Sequence, residues 1–234
     1  MDAKKKYIVR FNLIDRIQHI FLFITLIVLL ITGLSLVFYD SSLVKFIIEL
    51  EGGLQNRGQI HIIFAFILMA LGVFHFLYII FSDKGQNEIS EIKYKKKDFK
   101  DFIIGFKYNF RISKQKPQFA RYNLAQKFQY WGVIFGCIIM IITGIILLLK
   151  VWQFGMIVPK WLWDITVLIH SYEGMLIFLV LFVWHIYDVH LSPNVFPMDK
   201  IWLTGKMSKE ELKENHPLEY EKCFPEESSY EDKQ

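Results

Sequence analysis

The 234-residue chain is poor in the residues that build soluble catalytic domains and small disulfide scaffolds. It has two cysteines, Cys137 and Cys223, and six prolines, none of them inside its long apolar runs. Two isolated cysteines make no disulfide framework, and the lack of a CxxCH sequence excludes covalently attached c-type haem. There is no P-loop, no Rossmann glycine fingerprint and no nucleophile triad, so no motif for chemistry on a substrate is recognisable. Charge is also sparse, at 21% of residues against 53% apolar and 17% aromatic. Residues 17–38, 60–81, 128–149 and 165–187 are nearly free of Lys, Arg, Asp and Glu. At about 1.5 Å rise per residue, each run crosses a hydrocarbon core of about 30 Å. A soluble enzyme, a disordered chain and a nucleic-acid binder are thereby excluded. The sequence predicts an all-α membrane protein, a four-transmembrane-helix bundle with helices at about 14–39, 58–82, 126–150 and 164–190.

The net charge of +4 is sorted by loop. Lys and Arg number five in residues 1–16, twelve in 82–127 and six in 190–234, while the two other connections hold only Lys45, Arg57, Lys150 and Lys160. This positive-inside asymmetry predicts that both termini and the central loop are cytoplasmic. The N-terminus has no small-residue cleavage site after a short apolar core, so the first helix is expected to stay in the membrane. A multi-pass protein of the bacterial inner membrane is the expectation. Residues 42–51 have apolar residues at helical spacing and are expected along the outer surface. Trp152, Trp161 and Trp163 read as an interfacial belt. The central loop is expected to be partly helical. Residues 193–234, with ten acidic residues, read as a loosely structured cytoplasmic tail.

Helix 1 carries RIQHI at 16–20 and ITG at 31–33, and helix 3 carries KFQYW at 127–131 and ITG at 142–144, in the same register at an offset of 111. Helix 2 has His61 and His75, and helix 4 has His170 and His185. The chain therefore reads as a duplicated two-helix hairpin, with Tyr130 where the first copy has His19.

Five of the seven histidines lie in the apolar runs, where an ionisable side chain is costly enough to imply function. By depth they form two layers: His61 and His170 near the outer ends, and His19, His75 and His185 near the cytoplasmic ends. The intervals of 14 and 15 residues return each pair on one helix to nearly the same face at about 100° per residue. Two haem b groups, each between two axial imidazoles from facing helices, need this layout. Bis-His ligation leaves no open position, so such a metal carries electrons. A Zn or di-iron site would instead need carboxylates and thiolates at one depth. Depth alone leaves His19 and His75 as alternatives for the inner layer.

RFNLIDRIQH, GQIH, RYNLAQKFQYW, LIHSYEG and WHIYDVH follow in order a pattern that resembles the gamma (cytochrome b) subunit of membrane-bound formate dehydrogenase. That family of di-haem membrane cytochromes includes hydrogenase and thiosulfate reductase subunits. The resemblance covers most of residues 7–216, and YNxxQKxxxW at 122–131 is its most specific piece. It implies a di-haem domain over 1–192, with His61 and His170 on the outer haem and His19 and His185 on the inner one. It also implies a menaquinone, or other quinone, beside the inner haem at Asn123 and Gln126, with Ala125 at a backbone contact. The family pattern has no counterpart of His75 and spaces the helix-4 ligands by 14. Pairing of His75 with His185 thus remains the alternative that the repeat favours. Arg16 and Lys127 are candidates to neutralise haem propionates. Glu173 and Asp188, each three residues after a ligand histidine, are candidates to orient an imidazole or exchange protons. The stretches SPNVFPMDKIWLTG and HPLEYE look more like stand-alone members that accompany multihaem c-type cytochromes. The expected periplasmic partner is such a cytochrome, or the iron–sulfur subunit of a dehydrogenase or hydrogenase. A histidine-dependent proton or solute transporter and a haem-free dehydrogenase anchor are the rival expectations.

Overall fold

A computed structural model of the chain describes residues 6–151, 158–193 and 195–225. Trp152 and the acidic stretch 226–234 lie outside them. The described residues are mainly helical. A short strand β1 (Tyr7–Val9) leads into α1 (Leu13–Val37), followed by α2 (Ser42–Leu50) and α3 (Leu54–Phe81). The central connection forms α4 (Asp83–Ile92) and α5 (Lys96–Asn109) before α6 (Leu124–Val151). The helix α7 (Lys160–Phe178) continues through two π-helical segments, Leu179–His185 and Tyr187–Leu191. After it come α8 (Ile201–Thr204), β2 (Lys206–Ser208), α9 (Lys209–Asn215) and α10 (Pro217–Cys223). Among the described residues four helices are long and apolar enough to cross a membrane: α1, α3, α6 and α7 with its π-helical extension.

The chain divides into two compact units. One comprises residues 17–77 and 132–199, and its polarity is inverted relative to a soluble domain. Thr25, Thr32, Ser35, Arg57, Thr143 and Thr166 are buried, while Phe21, Phe66, Phe76, Phe135 and Phe182 are exposed. That is the distribution expected when the surrounding solvent is hydrocarbon and polar groups must find partners inside. Lys150 stacks its ammonium 3.9 Å from the Trp163 ring centre, and Trp161 is exposed.

The other unit comprises residues 1–16, 78–131 and 200–234. Its apolar centre is Ile201, Met207, Leu212 and Tyr220, with Ile8, Phe11 and Phe224 packed against it. The expected loose tail is instead folded as far as residue 225, because these apolar residues occur one per short element and meet when the elements do. β1 and β2 pair antiparallel, with Ile8 opposite Met207. Gly205 ends α8 at φ 74°, and a Cβ there would lie 2.2 Å from the Phe11 carbonyl oxygen, so only glycine fits. The Ser208 hydroxyl accepts from the Glu211 N–H to start α9.

Two arginines 111 residues apart lock this unit. The Arg10 guanidinium donates to the Arg121 carbonyl, and Arg121 donates to the Arg10 carbonyl at 2.6 Å. Glu219 pairs with both, at 3.4 and 2.6 Å, and Glu88 takes a second fork from Arg121. Burial raises the Glu88 carboxyl, but hydrogen bonding and charge from Arg121 outweigh it and hold the group below the ordinary carboxylate range.

Candidate functional site

His61 on α3 and His170 on α7 face each other with ring centres 6.3 Å apart and planes at 70°. An imidazole nitrogen binds a metal at about 2 Å and sits about 1 Å from its ring centre, so two imidazoles sharing one metal have centres about 6 Å apart. The pair is therefore spaced to hold a metal between them. Each ring is also fixed from behind. His61 Nδ1 lies 2.8 Å from Thr32 Oγ1, and His170 Nδ1 lies 2.8 Å from Thr143 Oγ1. Both threonine hydroxyls spend their proton on a carbonyl one turn back, Val28 and Ile139 respectively, at 2.7 Å. The oxygen can then only accept from Nδ1–H, which leaves the Nε2 lone pair as the metal-binding position in both rings. Gly33 and Gly144 follow these threonines directly. A Cβ on them would lie 3.4 Å from His61 Cε1 and 3.5 Å from His170 Cε1, so each imidazole edge packs in ordinary contact range of its glycine.

The second pair joins His19 on α1 to His185 in the first π-helical segment. Its ring centres are again 6.3 Å apart, with planes at 49°. His75 is placed differently: its Nδ1 lies 2.9 Å from Oε1 of the largely buried Gln18, on α1. The π-helical backbone accounts for the 15-residue interval between His170 and His185. A π turn closes on i→i+5 bonds and takes one residue more than an α turn. An extra residue is thereby absorbed without turning His185 off its face. Among the described residues no group of three or more His, Cys, Asp or Glu converges, so the imidazoles meet in twos.

The YN..Q motif starts α6. Asn123 Oδ1 accepts from Gln126 N at 2.9 Å, and Gln126 Oε1 accepts from Asn123 N at 3.1 Å, a reciprocal capping box. Ala125 lies in the first turn between them. The same box starts α1, where Asn12 and Asp15 exchange bonds at 2.8 and 2.9 Å. In α1 the Asn12 amide also donates to the Tyr78 hydroxyl at 2.9 Å. The α6 box uses the two carbonyl oxygens and leaves both side-chain NH2 groups out of it. Beside it, the Tyr122 hydroxyl donates to Glu88 at 2.7 Å, and burial pushes its pKa up.

The charged candidates are engaged locally. Arg16 donates to the Leu203 carbonyl at 2.6 Å. Lys127 is buried, 2.8 Å from Asp98 and 3.1 Å from the Lys93 carbonyl, so its charge is already matched. Glu173 brings Oε1 to within 2.8 Å of where a Cβ on Gly136 would stand. Asp188 lies in the second π segment, where its carbonyl accepts from Ser192 Oγ at 3.0 Å.

Thr32, Thr143, Gln18 and Arg57 join the site only through these contacts and are not among the candidates the sequence offers. Arg57, one turn before His61, is buried and donates to the Thr32 carbonyl, behind the ring that Thr32 orients. The recurrence of Thr-Gly at the 111-residue offset was the available signal. Residues 10–195 match the family model described as prokaryotic cytochrome b561. Nothing among the curated proteins matches the chain.

Proposed function

The chain belongs to the prokaryotic cytochrome b561 family, and from that premise we propose that it is a di-haem electron-transfer subunit of the bacterial inner membrane. It moves electrons between a quinone, menaquinone by its resemblance, at the cytoplasmic side and a redox partner at the periplasmic side. The single observation that carries this reading is the equal 6.3 Å spacing of two imidazole pairs in one membrane bundle. Haem held by these imidazole pairs would supply reversible one-electron transfer.

The side chains each have a part. His61 and His170, their rings held by Thr32 and Thr143, would hold the outer haem. His19 and His185 bind the inner one, and His75, engaged with Gln18, positions α1 beside it. Arg57 is the cation nearest in sequence to an outer ligand and meets a propionate there; Arg16 serves the inner side. The amide NH2 groups of Asn123 and Gln126 would hold a quinone oxygen while their carbonyls hold the helix end; Asp188 is a separate candidate for proton exchange. The duplicated hairpin, supported by the matched Thr–His and Asx-box contacts, explains the matched build of the outer pair. With both termini cytoplasmic, the periplasmic partner is a multihaem c-type cytochrome or an iron–sulfur subunit.

Reduction of the purified protein by a menaquinol analogue, followed in the visible spectrum, tests this. Asn123→Asp keeps the capping oxygen and removes the NH2 donor. Quinol-driven reduction is expected to slow about tenfold or more, with unchanged pigment content and unchanged reduction by dithionite. Reduction at the wild-type rate would remove Asn123 from the quinone site, and no reduction of the wild type by any quinol would remove the site itself.

A further inference from the structure

The helix α5 is turned the wrong way round for a surface facing water. Its buried positions are Asp98 and Asp101, which pair with Lys127 at 2.8 Å and Lys97 at 2.5 Å. Its exposed large apolar positions are Phe99, Phe102, Ile103 and Phe106, joined by Phe110 at its C-cap, each more than half accessible. These five fall at i, i+3, i+4, i+7 and i+11, one continuous arc of the helix. An arc of that composition presents on the order of several hundred Å² of apolar surface, the size that marks an interaction site. The Asp98–Lys127 pair, which ties α5 to α6, and the Lys97 ammonium on the Gln118 carbonyl fix the orientation, so the arc is not hidden by rolling the helix.

Charge identifies the occupant. Lys96, Lys100 and Lys107 lie along one edge of the arc, exposed, and among the described residues they make no ion pair. Phe102, Ile103, Phe106, Lys107 and Ile112 line a shallow groove of about 370 Å³, apolar except for the one ammonium at its rim. Lys96 and Lys100 also border the larger cleft on the flank of α5, about 1170 Å³, whose other wall carries Glu210, Lys213 and Glu214, so that cleft is mixed in charge whereas the groove beside Lys107 is not. The segment is also tethered at both ends to membrane-crossing helices: α3 ends at Phe81 and α6 begins at Leu124. A phenylalanine-rich arc bordered by lysines, tied close to a bilayer, fits acyl chains below and anionic headgroups beside them.

We propose that α5 lies in the membrane surface with Phe99, Phe102, Ile103, Phe106 and Phe110 among the acyl chains of one leaflet and Lys96, Lys100 and Lys107 on the phosphates of anionic phospholipid. The segment 82–123 is then a lipid-sensing collar and not a solvated loop. This surface is independent of what the paired histidines bind.

Spin-label accessibility of the full chain in lipid nanodiscs tests it. In a Cys137→Ser, Cys223→Ser background, nitroxides are attached at Phe102→Cys, Phe106→Cys and, as an aqueous reference, Lys114→Cys. In discs containing phosphatidylglycerol, labels at 102 and 106 are expected to collide severalfold more with oxygen than with a water-soluble nickel chelate, and the label at 114 to show the reverse. In discs of phosphatidylcholine alone, or with Lys96, Lys100 and Lys107 all changed to Gln, the oxygen preference is expected to fall at least twofold. Free access of both quenchers at 102 and 106 would show a solvated face and overturn the proposal. Exclusion of both would show a protein contact, such as a second copy, and overturn it equally. Unchanged values across lipid composition and in the triple Gln variant would overturn the headgroup assignment.

Discussion

The outer and inner imidazole pairs have the same ring spacing but are built by different rules. In the outer pair each ring leans on a threonine of the preceding membrane helix, Thr32 or Thr143, through the same 2.8 Å bond. All four membrane helices contribute, two with ligands and two with supports. The inner pair takes one ring from α1 and one from the far end of the fourth helix. There the pattern breaks: Tyr130, not a histidine, stands at the 111-residue offset from His19, and His75 turns to Gln18. The π-helical stretch at His185 is part of the same break. The lesson is that a two-fold repeat can give one symmetric site, whereas a second site at another depth needs one copy to depart from the pattern. π segments are frequent at functional positions for this reason, since they shift one side chain without changing the fold.

The largest effect that tests this contrast is ligand removal. His61→Ala and His170→Ala are each expected to halve the haem content of the purified chain, and His19→Ala and His185→Ala to remove the other half. His75→Ala keeps both. Pyridine haemochrome assay per polypeptide reads the result, and loss of one haem in His75→Ala would move the inner ligand from α1 to α3.

A smaller effect separates the pairs by their supports. Thr32→Val or Thr143→Val deletes the acceptor of an Nδ1–H and makes that imidazole a weaker donor to iron. Retention of the outer haem is expected to weaken about tenfold, and its midpoint potential to rise, with the inner potential unmoved. Redox titration of the two variants checks this. Equal shifts in both haems would contradict the assignment of the threonines to one pair.

The smallest effect contrasts these membrane imidazoles with one that only holds structure. His216 is buried, with Nδ1 2.7 Å from the Ala120 carbonyl. Burial, with the Arg10 charge beside it, holds its pKa down to about 4 from an ordinary 6.5. Its folded value is the depressed one, so the undocked tail takes up the proton first. Its contribution is complete above about pH 6.5 and is lost as pH falls from there towards 4. Hydrogen exchange across residues 206–223, corrected for intrinsic rate, is expected to speed up by at most about tenfold per pH unit in that window. His216→Asn, which keeps an N–H donor and does not titrate, flattens the profile.

The sequence made the membrane helices legible because their apolar runs are unbroken by proline or charge, and the histidines legible because each is costly there. The supports were harder to see. Thr32 and Thr143 look like ordinary helix residues, and only geometry reveals that their protons are committed to Val28 and Ile139. The π turns leave no mark on composition; their trace was the interval of 15 where 14 would do. The tail was read as loose because its apolar anchors, Ile201, Met207, Leu212 and Tyr220, are scattered one per element. The YN..Q motif was visible, but its capping function was hidden behind the resemblance that made it a quinone site.

The most direct measurement of the central claim is the haem-to-polypeptide ratio of the purified wild-type chain, taken together with its low-temperature electron paramagnetic resonance spectrum. Two haems per chain, each giving a low-spin ferric signal of bis-imidazole type, is the predicted result. A colourless chain, or one haem with a high-spin signal, would contradict it.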